Sequence, residues 1–70
     1  MNKAAIRSVM ARNGDTQKAL AGALHMSVSG LNARINGHIQ FRASEISVII
    51  RRYLLTPQET HEIFFEKFAS

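Results

Sequence analysis

The chain has no cysteine, few acidic residues and no long apolar run. Without cysteine it can form neither a disulfide framework nor a thiolate metal site, and it has no cysteine nucleophile. Its apolar runs are only a few residues long and arginines interrupt them, so neither a signal peptide nor a membrane span is predicted. These absences lead us to expect a cytoplasmic protein with no membrane partner.

Acidic residues number five against nine lysines and arginines, and they are unevenly distributed. Residues 1–55 carry eight of the basic residues and two acids, whereas residues 56–70 carry one lysine and three glutamates. The basic portion suits a polyanionic partner such as nucleic acid. Because a net charge of +4 is also ordinary for a small soluble domain, charge favours nucleic acid without establishing it.

Apolar residues recur at a spacing of about 3.6 without strict alternation, which predicts an all-α chain. Seventy residues suit a single domain, for which we predict five helices. The first is expected at residues 3–12, where "NG" at Asn13 and Gly14 ends it. Asp15 or, preferably, Thr16 caps the second.

The fourth and fifth helices are predicted from different signals. Apolar residues from Ile46 to Leu54 mark a fourth, central helix, with Ser44 as its expected cap. The motif "TPQE" at residues 56–59 places a cap, a first-turn proline and a third-position acid in the order that a helix start prefers. The fifth helix is therefore expected at about residues 57–68.

The second and third helices match the length of a helix-turn-helix at about residues 16–36, with "HMS" as the turn. Ala21 provides the small side chain needed where the two helices cross. His25 stands where a left-handed residue is common, and Ser27 can cap the third helix. Since an ordinary helical hairpin would share the apolar pattern, the exposed face of the third helix has to distinguish the two.

The side chains expected on that exposed face are small and nearly all uncharged. Such side chains suit contacts with DNA bases better than a face that is merely exposed to solvent. The expected base contacts are Val28, Ser29, Asn32 and Ala33. Contacts to the DNA backbone should flank them, through helix ends and basic side chains. The expected backbone contacts are Gln17, Lys18, Arg34, Asn36, Gly37, His38 and Arg42. Solvation alone is the preferred role of Lys3, Arg7 and Lys67, and the roles of Arg51 and Arg52 stay open.

Gly30 lies inside the third helix, where glycine costs up to about 1 kcal/mol relative to alanine. Two explanations stay open at this stage. The backbone there could approach DNA closely, or the position could be unused.

Two segments, "GDTQKALAGALHMSVSGLNARING" and "FRASEISVIIRRYLLTPQETHEIFF", resemble the Cro/C1-type helix-turn-helix family, especially its small phage repressor-like proteins. The resemblance extends from Ile6 to about Phe65. It implies a lambda-repressor-like domain with its third helix in the major groove of operator DNA, commonly as a homodimer, in a bacterial host cell. Gln17 and Asn36 match family positions that contact phosphate. The chain departs from the family pattern at His25, Val28, Gly30 and Arg42.

The expected function is a sequence-specific, DNA-binding transcriptional regulator. Repression by operator occupancy is the simplest mechanism, because the chain leaves no room for an effector domain. The three histidines share no helix face, and the carboxylates lack a matching nucleophile or metal-ligand spacing. We therefore expect no enzyme, metal, cofactor or small-molecule ligand.

The alternative is a protein-interaction module such as an antitoxin or anti-repressor. Its surface would be the end of the chain, where Phe64, Phe65 and Phe68 offer more aromatic area than one helix face can bury. The same three residues could instead form a homodimer contact. A DNA-binding protein would need Gln17, Ser29, Asn32 and Arg34. An interaction module would instead need Phe65 and Phe68, and it could lose Asn32 freely.

Overall fold

The computed structural model describes residues 1–65 and shows an all-α chain with no strand in that part. Residues 66–70, and with them Phe68 and the expected far end of the last helix, lie outside the described residues. No helix in residues 1–65 has the length and apolar character that crossing a bilayer requires. The five helices are α1 Lys3–Arg12, α2 Gln17–Ala23, α3 Val28–Ile35, α4 Ala43–Tyr53 and α5 Pro57–Phe64.

Three helices start at caps that the sequence predicts. Thr16 Oγ1 accepts a hydrogen bond from the Ala19 N–H at 3.1 Å, and Ser27 Oγ does the same for the N–H of Gly30 at 3.0 Å. At α5, the cap Thr56 and the third-position acid satisfy each other reciprocally, with Pro57 in the first turn. The local capping chemistry therefore confirms these three helix starts.

The predicted cap of α4 is wrong. The helix begins at Ala43 and its N-cap is Arg42, not Ser44. Glu45 Oε1 accepts a hydrogen bond from the Arg42 backbone N–H at 2.9 Å. The carboxylate at the third helical position thus satisfies the N–H of the N-cap residue from inside the helix, which is one half of a capping box. The Arg42 side chain adds no capping hydrogen bond.

The helices α1, α2 and α3 end in the same hydrogen-bonded turn, closed by a residue in the left-handed conformation. At the end of α2, the His25 N–H donates to the Gly22 carbonyl at 3.1 Å, and the Met26 N–H donates to the Ala21 carbonyl at 3.0 Å. The left-handed expectation for His25 is confirmed. The three residues are Gly14 (φ 62°), His25 (φ 56°) and Gly37 (φ 82°).

Leu54 is a fourth left-handed residue, with φ 53°, and it lies just beyond α4. The expectation that Leu54 continues the helix is wrong, because α4 ends at Tyr53 and Leu54 is its left-handed C-cap, 85% exposed. Leu55 is buried instead, and its N–H donates to the Ile50 carbonyl at 3.0 Å. The chain therefore reverses at Leu54 so that Leu55 can enter the core.

The core draws on all five helices. Both Leu31 and Ile35 of α3 are fully buried, as predicted, Ala21 of α2 is buried, and α2 packs on α3. The turn between α2 and α3 occupies residues 24–27, one more than predicted, because Leu24 is the C-cap of α2. The largest fully buried side chains are Ile6, Leu20, Leu31, Ile35, Ile49 and Ile63.

Candidate nucleic-acid interface

The exposed surface of α3 follows from the burial of Leu31 and Ile35. Ser29, Asn32 and Ala33 are three and four positions apart, so they share one helix surface. Ser29 is exposed, and Asn32 and Ala33 are half-buried. Val28, at the first position of α3, is 39% exposed. The four predicted base-reading residues are all accessible, and none carries a charge.

Hydrogen bonds on this surface occupy some polar groups and leave others accessible. The Ser29 hydroxyl lies 3.3 Å from the hydroxyl of Ser27, which also caps the helix. In the described part of the chain, the α3 residues with side-chain hydrogen bonds are Ser29 and Arg34. The Asn32 amide is not among them, so its donor and its acceptor can both serve an external partner.

Arg34 lacks the solvent-exposed, unpaired guanidinium that a phosphate contact requires. Its side chain is only 15% exposed. Its Nε donates to Glu45 Oε1 at 3.2 Å, and its Nη1 donates to the Gly30 carbonyl at 3.0 Å. A guanidinium that is enclosed and already paired in this way is poorly placed to grip an external phosphate.

The predicted phosphate contacts at the end of α3 are exposed, but their backbone donors are occupied. The Gly37 N–H donates to the Arg34 carbonyl at 3.1 Å, and the His38 N–H donates to the Ala33 carbonyl at 2.9 Å. A phosphate at this end would therefore meet the side chains of Asn36 and His38, not the backbone N–H groups.

The remaining predicted phosphate contacts lie at the starts of α2 and α4. Gln17 is the half-buried first residue of α2, and Lys18 beside it is exposed. Because α2 has seven residues, less than two full turns, its dipole adds little and the side chains carry the expected contact. Arg42 is exposed at the N-cap of α4, where its side chain makes no capping hydrogen bond.

Two interactions near this surface were not anticipated from the sequence. The first is the pairing of Glu45 with Arg34. The position of Glu45 three residues after Arg42 is the spacing of a capping box and could have revealed its bond to the Arg42 N–H, but not its pairing with Arg34. The second joins Asp15, in front of α2, to Arg52 and Tyr53 at the end of α4. No local pattern in the sequence marks this second contact.

The Asp15 contact shifts the ionisation of both acids in it. Hydrogen bonds from Arg52 above all, and from Tyr53, hold the pKa of the Asp15 carboxyl well below its ordinary value. Burial, and then the hydrogen bond to Asp15, raises the pKa of the Tyr53 hydroxyl well above its ordinary value. Arg52, whose role the sequence left open, is therefore paired within the fold.

A second surface, the Phe65 groove, has a mixed polar and apolar lining and lies beside the loop that follows α3. Phe65 is 56% exposed, whereas the ring of Phe64 is half-buried and packs edge-on against Phe41 with 5.6 Å between ring centroids. The groove has a volume of about 310 Å³, and Arg34, Gly37 and Gln40 form part of its wall. Its apolar lining consists of Met1, Ile39, Phe41, Ile46, Phe64 and Phe65.

No family model, curated protein or solved structure matches this chain. Within residues 1–65, no group of three histidine, aspartate or glutamate side chains could hold a metal ion. Support for a function therefore comes from the two surfaces just described, the exposed face of α3 and the Phe65 groove.

Proposed function

We propose that this chain is a sequence-specific DNA-binding regulator of the Cro/C1-type helix-turn-helix family, in which α3 enters the major groove of an operator. One observation carries the proposal. With Leu31 and Ile35 buried, α3 presents an accessible, uncharged surface that includes Asn32, whose amide forms no side-chain hydrogen bond within residues 1–65. A bidentate amide pairs well with adenine, and a neutral surface leaves the choice of base to hydrogen bonds and methyl contacts.

The packing of α2 on α3 supports the same function. The two helices pack against each other, Ala21 of α2 is buried, and the left-handed turn at His25 joins the helices. These are features that a helix-turn-helix requires. In this proposal the pair lies within a lambda-repressor-like domain. The side chains of Lys18 and Arg42 are exposed cations beside the pair, available to phosphates along the groove.

The simplest mode of regulation is repression, since a protein seated on an operator blocks polymerase sterically. A two-fold operator would be occupied by two chains whose recognition helices lie about 34 Å apart, one turn of DNA. The Phe65 groove supports a second copy as the partner, because its wall includes Gly37 and Gln40, directly after α3. A self-complementary contact there would link the exits of two recognition helices. In this proposal the protein is a phage or prophage regulator that acts in the bacterial cytoplasm.

Selection of bound sequences from a random double-stranded DNA pool tests this function. Wild-type protein should enrich one short, palindromic sequence, which would establish specificity and two-fold binding together. A Ser29→Ala, Asn32→Ala double variant, changed only on the exposed surface of α3, should enrich a different sequence or none. If the wild-type protein enriches no sequence, the proposal of sequence-specific DNA binding is wrong.

The exposed Phe65 groove also favours a second candidate function, a protein-interaction module that binds another regulator. The two functions require different residues. A protein-interaction module would lose binding to its partner in the Phe65→Ser variant and keep it in the Asn32→Ala variant. A DNA-binding regulator would lose base specificity in the Asn32→Ala variant.

A further inference from the structure

We infer that Arg34 is a positioning residue that ties α3 to α4, and that Gly30 leaves the space in which its guanidinium lies. The inference rests on the proposed DNA-reading function of α3, whose orientation this link would fix. It reassigns Arg34, which the sequence placed among the phosphate contacts, and it replaces both earlier explanations of Gly30.

The link consists of Gly30, Arg34 and Glu45, and we call it the α3–α4 clamp. Arg34 Nη1 donates to the Gly30 carbonyl in the first turn of α3 at 3.0 Å. Its Nε donates to Glu45 Oε1 at 3.2 Å, and the same oxygen accepts the Arg42 backbone N–H at 2.9 Å. One guanidinium and one carboxylate thus connect the start of the recognition helix to the start of α4.

The enclosure of the clamp distinguishes it from an ordinary surface ion pair. The side chains of Arg34 and Glu45 are 15% and 14% exposed. At such low exposure water and salt compete weakly with the pair, whereas pairs in full solvent contribute little. A phosphate could recruit Arg34 only by breaking its hydrogen bond to Glu45 and leaving that carboxylate unpaired.

Gly30 accounts for the course of the Arg34 side chain. A Cβ at position 30 would lie 3.2 Å from Ser27 Oγ and 3.5 Å from Arg34 Nη1. The first distance presses on the hydroxyl that caps α3, and the second places any larger side chain against the guanidinium. A methyl group would make ordinary van der Waals contact with the guanidinium, whereas a branched residue at position 30 would crowd it, so a small residue is favoured here.

Charge-retaining and charge-removing variants separate positioning from phosphate contact. Lysine keeps the charge of Arg34 but cannot reach two acceptors in the fixed geometry of a guanidinium. If Arg34 positions α3, Arg34→Lys and Arg34→Gln should each lower the ratio of operator affinity to random-sequence affinity by about tenfold. If Arg34 contacts a phosphate, Arg34→Lys should keep that ratio near the wild-type value.

The salt dependence of binding gives a second, independent readout. Loss of one phosphate contact lowers the slope of log K against log salt by about 0.9. Arg42→Gln removes an exposed cation that is proposed to contact a phosphate beside the DNA major groove. This variant should show the decrease in slope. Arg34→Gln should keep a slope close to the wild-type value, and a decrease equal to that of Arg42→Gln would overturn the inference.

Glu45→Gln completes the DNA measurements, because glutamine can still accept the Arg42 N–H while the charge that holds Arg34 is lost. If the clamp positions α3, this substitution should lower the ratio of operator affinity to random-sequence affinity. If Arg34 is instead a phosphate contact restrained by Glu45, the substitution should strengthen binding to both DNAs and leave the ratio unchanged, which would overturn the inference.

Urea unfolding of the free protein tests the clamp without DNA, so failure of the proposed function is distinguishable from failure of the clamp. Two double-mutant cycles are needed, Arg34→Gln with Glu45→Gln and Gly30→Val with Arg34→Ala. Helix propensities cancel within each cycle. Each pair should be non-additive by about fivefold or more in the unfolding equilibrium constant, whereas additivity within about twofold in both cycles would overturn the clamp.

Discussion

Asp15 and Arg52, 37 positions apart in the chain, are joined by two hydrogen bonds of 2.8 Å and 3.0 Å from one guanidinium to one carboxylate. The Tyr53 hydroxyl donates to the same carboxylate, and Asp15 Oδ1 also accepts the Thr16 backbone N–H at 3.0 Å. Since Thr16 caps α2, this contact fixes the start of the proposed helix-turn-helix against the end of α4.

Asp15→Asn should destabilise the protein, and the loss relative to the wild-type protein should be larger at neutral pH than at acid pH. A carboxyl whose pKa is lower in the folded chain contributes stability that is fully present above its unfolded pKa of about 3.9. That stability is lost progressively as the pH falls from there through the lower pKa of the folded chain. The substitution should therefore lower the free energy of unfolding by about 2 kcal/mol at pH 7 and by clearly less at pH 3. Urea unfolding at pH 7, 5 and 3 measures this difference.

A matched control for Asp15 is Glu62→Gln, which removes an acid from the exposed side of α5. Its effect should stay within about 0.5 kcal/mol at each pH, as for most surface substitutions. If Asp15→Asn shows the same deficit at all three pH values, the charge of Asp15 does not stabilise the fold.

Leu54→Gly should stabilise the protein even though it removes a large apolar side chain. Leu54 is 85% exposed, so little packing is lost, and its left-handed φ of 53° costs a leucine about 1–2 kcal/mol. Glycine removes that cost but gains freedom in the unfolded chain, which leaves a net gain of about 0.5–1 kcal/mol in unfolding free energy.

Leu54→Ala is the control for the backbone explanation, because alanine keeps the Cβ that disfavours this conformation. Thermal and urea unfolding should show little gain for alanine and a clear gain for glycine. An equal gain for both would attribute the effect to the lost apolar surface.

The helices were predictable where their ends are decided by local chemistry. Thr16, Ser27 and the "TPQE" motif each contain the atoms that satisfy the first turn, and the two "NG" pairs contain the glycines that close the last turn. Leu54 was not predictable in this way. Leucine has no preference for a left-handed turn, and the apolar periodicity of α4 continues through it. Burial of Leu55, a tertiary effect, decides where that helix ends.

The same division applies to the candidate interface. Once Leu31 and Ile35 are assigned to the core, helix periodicity places Ser29 and Asn32 on an accessible surface. The partner of Arg34 depends instead on how α4 packs against α3, and local patterns do not encode this packing. Helix periodicity therefore located the accessible surface of α3, whereas the hydrogen bond of Arg34, the arginine of α3, to Glu45 depends on packing between helices.

Asn32→Ala should relax base specificity at one operator position. Loss of a bidentate amide–adenine pair costs about 1–3 kcal/mol at that base pair and leaves the others unchanged. Competition binding against single-base variants of the selected operator measures the effect. Asn36→Ala is the control, since an amide at the exposed end of α3 is proposed to contact phosphate and its loss should weaken all sequences alike. Uniform weakening by Asn32→Ala would remove it from the base contacts.

Phe65→Ser should abolish cooperative operator binding without unfolding the chain. Phe65 is 56% exposed, so its removal opens no core cavity, whereas Phe64 is half-buried against Phe41 and Phe64→Ser should lower the free energy of unfolding. Sedimentation and titration on the palindromic operator should show two wild-type chains binding cooperatively. Phe65→Ser chains should occupy the two half-sites independently and with weaker apparent affinity, because the contact between chains is lost. Cooperative binding that persists in Phe65→Ser would place the contact between the two chains elsewhere than the Phe65 groove.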